Sequence, residues 1–199
     1  FSPPEQIAQG WATLTPDEAR HLRDVLRLRV GDEASVFDGV GNEYLCTVDE
    51  VSKRSAVLKV MREIEPASPE SPLEITVAAA ILPGEKFEIT VQKAVELGVY
   101  LLRPLYTRRC EVKPGGSSHR MERWRKIAVE SAKQSGRARL MEIAEPVEFA
   151  EFVRSGHCPS TIFFSERDGS DFSAIKAPDK KMTAVFGPIG GWDDSELES

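Results

Sequence analysis

A proline-rich segment, residues 65–72, separates two different sequence patterns and therefore constrains the fold more than any other feature. Before it, short β-like segments alternate with turn residues. After it, apolar strand-like runs alternate with helical stretches. Proline-rich linkers are semi-rigid spacers, so we place a first domain at residues 1–66 and a second at residues 73–199.

The first domain has the pattern of a small antiparallel β structure. Residues 34–37, 44–48 and 56–60 have strand character, and turn residues separate them. Ahead of these, Thr15 and Glu18 frame a capping box with Pro16 at the first helical position. We therefore predict a helix from Pro16 through Leu26, followed by a small β-barrel.

The second domain alternates strands with helices. Strands are predicted at 73–82, 99–105, 142–146, 161–165 and 183–186, and helices at 85–97, 120–136 and 149–155. Gly98 follows the first of these helices, as a C-terminal cap does. This alternation is typical of a mostly parallel sheet covered by helices, so the fold class is α/β.

The last strand leads into a glycine-rich turn, Gly187-Pro188-Ile189-Gly190-Gly191, and then into the acidic helix start that begins at Asp193. Glycines at such a junction let the backbone approach a ligand closely, and free amides there can bind polar ligand atoms. A simple strand-to-helix turn explains the same residues, and both interpretations stay open on this segment alone.

Charge is distributed very unevenly. Residues 103–139 contain eleven Lys or Arg against three Glu, a net charge of +8, whereas the whole chain carries −6 and the remainder −14. Clustered cations favour a polyanion site over a solvated helix face, and nucleic acid is the expected partner.

Localisation is judged from the cysteines and from the absence of targeting signals. The three cysteines lack metal-ligand spacing, no apolar run reaches membrane length, and no signal peptide opens the chain. We expect a cytoplasmic protein with free thiols and no bound metal. The start at Phe1 and the end at Ser199 suggest that both ends of a longer protein are missing.

Four separated segments together resemble the RsmE-type 16S rRNA (uracil nitrogen-3) methyltransferases of the SPOUT superfamily. They occur in the family's order: His21-Leu22-Arg23-Asp24-Val25-Leu26-Arg27 with Val30-Gly31-Asp32; Gln92-Lys93-Ala94-Val95-Glu96-Leu97-Gly98-Val99; Arg123-Trp124-Arg125-Lys126-Ile127 through Gln134-Ser135-Gly136-Arg137; and Gly187-Pro188-Ile189-Gly190-Gly191.

The resemblance implies an N-terminal PUA-like β-barrel that holds RNA. It also implies a SPOUT domain whose C-terminal trefoil knot binds S-adenosylmethionine, usually in a homodimer, with the knot segment incomplete in this chain. The implied cofactor-binding residues are Ser165, Glu166, Gly187, Pro188, Gly190 and Gly191. Ile189 stands where the family loop usually has glutamate. Because the knot segment is incomplete, we expect this chain by itself to bind the cofactor poorly or not at all.

Methylation of uracil nitrogen 3 requires loss of its proton, assisted by a base or by cationic donors that stabilise the uracil anion. Helical spacing predicts that Glu130, Gln134 and Arg137 share one helix face. Gln134 can read the uracil edge and Arg137 can contact phosphate or the developing charge; helix capping and surface solvation are the alternative. Arg27, Arg109 and Arg123 are candidate RNA contacts.

The sequence thus predicts an S-adenosylmethionine-dependent methyltransferase acting on a uridine of 16S rRNA in the small ribosomal subunit. One alternative is a non-catalytic RNA-binding or ribosome-assembly factor on the same scaffold, which Ile189 favours. A nucleotide-dependent enzyme is a weaker alternative, because the chain has neither GxGxxG after its first strand nor a P-loop lysine.

Overall fold

The computed structural model describes residues 1–115, 117–156, 160–167 and 180–198. The chain divides into two compact units. One comprises Phe1–Glu70 and Ala132–Leu140, and the other comprises Ser71–Ser131 and Met141–Ser199. Residues 132–140, which follow most of a long helix in sequence, therefore belong with the N-terminal unit.

The first unit is an antiparallel sheet with a short helical segment. Its strands are β1 (Ile7–Ala8), β2 (Trp11–Leu14), β3 (Glu33–Phe37), β4 (Glu43–Val51) and β5 (Ala56–Ile64), in the order β1-β2-β5-β4-β3. Every neighbouring pair is antiparallel. The three strands predicted in this part of the chain are confirmed, and β4 and β5 are longer than predicted.

The helical segment differs in detail from the prediction. Helix α1 (Pro16–Arg20) begins where predicted, because the Thr15 side chain accepts a hydrogen bond from the Glu18 amide at 3.4 Å. The Glu18 carboxylate pairs with Lys133 rather than closing the predicted capping box. The helix then widens into a π-helical turn, His21–Val25, rather than continuing as an α-helix. Leu22 of this turn packs with the buried faces of β2, β3, β4 and β5, so the segment closes one side of the core.

The second unit is built on a parallel sheet. Its strands are β6 (Glu74–Ala80), β7 (Leu101–Tyr106), β8 (Glu142–Ile143), β9 (Val147–Glu148), β10 (Thr161–Phe164) and β11 (Lys181–Phe186). The order is β10-β11-β6-β7-β8, and β9 also pairs with β7. All these pairings are parallel, which confirms the predicted α/β class.

Within the described residues, the helices that accompany this sheet are α2 (Lys86–Glu96), α3 (Ser117–Ser135), α4 (Phe149–Arg154) and α5 (Asp194–Leu197). Gly98 follows α2 with a φ of 81°, the left-handed conformation that a C-terminal cap requires. Ala78 of β6 lies in one buried cluster with the aromatic rings of α4 and Trp192. Burial of the strands is what parallel sheets require.

No helix within the described ranges combines the length and the apolar character needed to span a lipid bilayer.

Candidate functional site

The glycine-rich loop lies at the carboxyl edge of the parallel sheet. Strands β10 and β11 pair in register from Thr161 with Thr183 to Phe164 with Phe186, so both strands end at the same edge. Ser165 and Glu166 leave β10 there, while Gly187 and Pro188 leave β11. In open α/β sheets this edge is where ligands bind.

Trp192 fixes the start of the loop. Its side chain is 1% exposed, and its indole nitrogen donates a hydrogen bond to the Phe164 carbonyl at 2.9 Å. A Cβ atom at Gly187 would lie 2.7 Å from the same indole ring. Position 187 therefore needs glycine for packing, whatever the loop binds.

The other two glycines differ from each other. Gly191 has a φ of 71°, its amide closes a turn onto the Pro188 carbonyl at 3.0 Å, and a Cβ there would overlap the Glu166 carboxylate. Gly190 has no positive φ, and a Cβ there would meet only Arg109 atoms, the nearest at 3.6 Å. Gly190 is also exposed, so its backbone is accessible to a ligand.

A buried carboxylate connects this loop to the segment after β7. Glu196 accepts hydrogen bonds from the Arg108 amide at 2.8 Å and from the Asp193 amide at 3.3 Å, and it is 7% exposed. The second bond completes the capping box of α5. The sequence pattern identified this helix start but gave no sign that Glu196 also binds a loop 88 residues away.

Arg109 reinforces the same connection. Its guanidinium donates to the Gly190 carbonyl at 3.2 Å and lies 3.7 Å from the Asp193 carboxylate. Hydrogen bonds from Ser195 hold the pKa of Asp193 below its usual range, which keeps that carboxylate ionised opposite Arg109. The structure thus places Arg109, a candidate RNA contact, against the glycine loop.

Apolar rings border the loop. Phe164 and Phe186 stack almost in parallel, with ring centroids 4.5 Å apart and an interplanar angle of 7°, and both are exposed. The exposed part of this pair is an apolar surface beside the loop. Trp124 and Trp192 serve instead as packing anchors: both are buried, and Trp124 lies against Phe87 with centroids 4.6 Å apart.

The structure separates the two candidate catalytic residues, and the prediction that they share a helix face is wrong. Helix α3 ends at Ser135, and Gly136 turns the backbone with a φ of 71°, so Arg137 lies beyond the helix. Gln134 is exposed, whereas Arg137 is 4% exposed and forms a two-pronged ion pair with Glu70 at 3.0 and 2.8 Å. Both residues group with the first unit.

In the folded structure, carboxylates neutralise much of the positive charge of the basic segment, residues 103–139. At least six of its eleven basic residues are ion-paired with carboxylates: Arg109 with Asp193, Arg123 with Glu88, Arg125 with Glu145, Lys126 with Glu122, Lys133 with Glu18, and Arg137 with Glu70. Five of these six carboxylates lie outside the segment, which explains why local counting overstated its charge.

Two candidate RNA contacts remain accessible. Arg27 is exposed and has a φ of 58°, an uncommon backbone conformation for a residue with a side chain. Arg123, with His119 and Arg120, lines a cavity of about 590 Å³ beside the start of α2. Its ion pair with Glu88 at 2.7 Å is mostly solvent-exposed on the arginine side.

Two family descriptions match the chain. An RNA methyltransferase domain matches residues 69–199, and an RNA methyltransferase PUA domain matches residues 14–61. A PUA domain joined to a parallel-sheet domain with a glycine loop at its carboxyl edge defines the class, which is that of the RNA methyltransferases.

Individual relatives identify the family within this class. Ribosomal RNA small subunit methyltransferase E of Synechocystis is 34% identical over 98% of this chain and 64% of its own length. The protein of the same name from Bacillus subtilis is 30% identical over 94% of this chain and 77% of its own length. The chain belongs to this family, that of the RsmE-type ribosomal RNA methyltransferases.

Solved structures support the same family assignment. Ribosomal RNA small subunit methyltransferase E of Neisseria gonorrhoeae, bound to S-adenosyl methionine, has a TM-score of 0.89 and 28% identity, and the match covers 100% of this chain and 83% of that one. A Legionella pneumophila protein in complex with the cofactor SAM has a TM-score of 0.91 and 29% identity, covering 99% and 82% of the two chains.

Proposed function

We propose that this protein transfers the methyl group of S-adenosylmethionine to nitrogen 3 of a uridine in the 16S RNA of the small ribosomal subunit. The observation that carries the proposal is the glycine loop at the carboxyl edge of β10 and β11, in a chain of the RsmE-type family. The names of the Synechocystis and B. subtilis relatives and the ligand of the N. gonorrhoeae structure support it.

The residues around the loop fit the cofactor. Exposed backbone at Gly190 can approach it closely, and Gly187, Pro188 and Gly191 hold the turn that presents this backbone. We propose that Ser165 and Glu166 supply a hydroxyl and a carboxylate for its polar groups. The stacked Phe164–Phe186 pair offers apolar surface for its adenine ring. When bound, the cofactor supplies an electrophilic methyl group on its sulfonium sulfur.

The catalytic assignments remain proposals about individual side chains. Gln134 is exposed on α3, so its amide is available to pair with the uracil edge. Arg137 can stabilise the developing uracil anion, or bind phosphate, only by exchanging its bonds to Glu70. Arg27, Arg109 and Arg123 are proposed RNA contacts, and of these Arg27 and Arg123 are the more accessible to a polyanion.

We extend the proposal to the features typical of the family. These are closure of the N-terminal sheet into a PUA-like barrel, a SPOUT trefoil knot in the second domain, homodimerisation and a cytoplasmic location. The proposed domains are residues 1–66 for RNA binding and 73–199 for methyl transfer.

Methyl transfer itself is the direct test. The full-length protein is incubated with S-adenosylmethionine and small ribosomal subunits that lack uracil nitrogen-3 methylation, and the digested RNA is analysed by nucleoside mass spectrometry. We expect 3-methyluridine. A different methylated nucleoside would show that the target is another nucleotide. RNA binding without any methylation would refute the proposed methyltransferase activity.

Gln134→Ala tests the catalytic proposal within this assay. Because Gln134 is exposed, stability should change little, while loss of one hydrogen bond to uracil should slow transfer roughly 10- to 100-fold. Lys126→Ala, on the exposed surface of the same helix, is the matched control. Equal rates for the two variants would remove Gln134 from the site.

One feature favours the non-catalytic RNA-binding or assembly factor instead. Ile189 is exposed in the glycine loop, at the position where the family usually has a carboxylate. If the protein binds small subunits without methylating them, and Ile189→Glu restores methyl transfer, this second function is the correct one.

A further inference from the structure

Thr107 contains an unsatisfied buried hydroxyl. The residue directly follows β7 and is 8% exposed, and its Oγ1 has no hydrogen-bond partner among the residues that the structure describes. Its carbonyl, by contrast, accepts a bond from the Cys110 amide at 3.1 Å. A buried hydroxyl without a partner costs free energy, so its presence in a packed region calls for an explanation.

The position of Thr107 connects it to the glycine loop. Strand β7 pairs with β6, which pairs with β11, so Thr107 and Gly187 leave the same edge of the sheet. The next residue, Arg108, donates to Glu196, and Arg109 donates to the carbonyl of Gly190. Thr107 therefore begins the segment that is fastened to the proposed cofactor loop.

We propose that the Thr107 hydroxyl is a cofactor contact, forming a hydrogen bond with a polar group of bound S-adenosylmethionine. This inference rests on the proposed function. A threonine hydroxyl can both donate and accept, so it suits the ribose hydroxyls, the adenine nitrogens or the amino-acid end of the ligand. The bond satisfies in the complex a group that is unsatisfied in the free protein.

The proposal predicts that one substitution affects the free protein and its complex with S-adenosylmethionine in opposite ways. Thr107→Val keeps the shape of the side chain but removes the hydroxyl. In the free protein this change removes an unsatisfied polar group and should leave the melting temperature unchanged or raise it. In the complex it removes a hydrogen bond and should weaken binding of S-adenosylmethionine by roughly 5- to 30-fold. If the hydroxyl had a purely structural role, Thr107→Val would not weaken binding of S-adenosylmethionine while leaving the melting temperature unchanged or higher.

Thr107→Ser is the matched control. It keeps the hydroxyl and loses one methyl group, so binding should stay within about threefold of the unmodified protein while the melting temperature falls slightly. Binding is measured by titration calorimetry on the full-length protein, and stability by thermal unfolding without ligand.

Titration with methylthioadenosine and S-adenosylhomocysteine shows which end of the ligand is contacted. If Thr107→Val weakens both, the contact is to the nucleoside; if it weakens only S-adenosylhomocysteine, the contact is to the amino-acid end. Either result supports the proposal.

Unchanged affinity of Thr107→Val for S-adenosylmethionine would overturn the proposal. If the melting temperature of that variant is also lower, the hydroxyl holds a structural water instead. Failure of the proposed function is distinguishable, because the unmodified full-length protein would then form no 3-methyluridine, whether or not it binds S-adenosylmethionine.

Discussion

The Arg137–Glu70 pair decides whether Arg137 serves the fold or the reaction. The guanidinium is 4% exposed and the carboxylate 23%, with donor–acceptor distances of 3.0 and 2.8 Å. Removing one member of a buried ion pair typically costs about 3–5 kcal/mol, because the other charge stays buried. Since water reaches part of Glu70, we expect Arg137→Met to reduce the free energy of unfolding by about 2–4 kcal/mol.

The assay is equilibrium urea unfolding of Arg137→Met, Glu70→Gln and the double variant. Because each single change removes the attraction between Arg137 and Glu70, the double-mutant cycle should give a coupling energy of about 1–3 kcal/mol. The exposed pair Arg123–Glu88 is the matched control: its arginine is 61% exposed, so the same cycle there should give no more than about 1 kcal/mol.

A specific result would refute this reasoning. If Arg137→Met unfolds within about 0.5 kcal/mol of the unmodified protein and yet abolishes methyl transfer, the ion pair is not a stabilising element and Arg137 acts on the RNA. If stability falls as expected and the remaining folded protein methylates normally, Arg137 leaves the list of catalytic candidates.

The remaining predictions concern single residues. Gly187→Ala would place a methyl group 2.7 Å from the Trp192 indole and should lower the free energy of unfolding by about 1–3 kcal/mol. Gly190→Ala should unfold normally but bind S-adenosylmethionine more weakly. Unchanged affinity of Gly190→Ala in calorimetry would exclude the Gly190 backbone from the cofactor site. Burial raises the pKa of the Cys46 thiol to about 11 from 9.0, so native protein treated with iodoacetamide at pH 8 should show no Cys46 alkylation by peptide mass mapping. The same thiol stays protonated in the folded state while the unfolded chain ionises, so it should lower stability as pH rises from about 9 to 11, by up to about 3 kcal/mol; a Cys46→Ala variant with the same pH slope would contradict this. Thr15→Ala removes the cap of α1 and should cost about 1 kcal/mol in urea unfolding, and no measurable loss would show that the 3.4 Å bond contributes nothing.

Local sequence signals were sufficient for helix ends and for the alternation of strands with helices in the second domain. Thr15 and Pro16 mark the start of α1, and Gly98 marks the end of α2, because caps depend on side chains and φ angles within one turn. The alternation of apolar strands with helices likewise predicted the parallel sheet. The glycine run that follows β11 could be recognised for the same reason.

Only the tertiary structure decided which polar groups meet. Glu70 lies 67 residues from Arg137 in sequence, and Glu196 lies 88 from Arg108. Helical spacing placed Arg137 on a face with Gln134, but Gly136 ends that periodicity before Arg137 is reached. The ion pairs that neutralise much of the basic segment, and the unsatisfied hydroxyl of Thr107, are invisible to any local pattern. The physical reason is that helix caps, turns and the apolar periodicity of an element depend on residues a few positions apart, whereas charge pairing and desolvation depend on distances through space that only the folded chain sets.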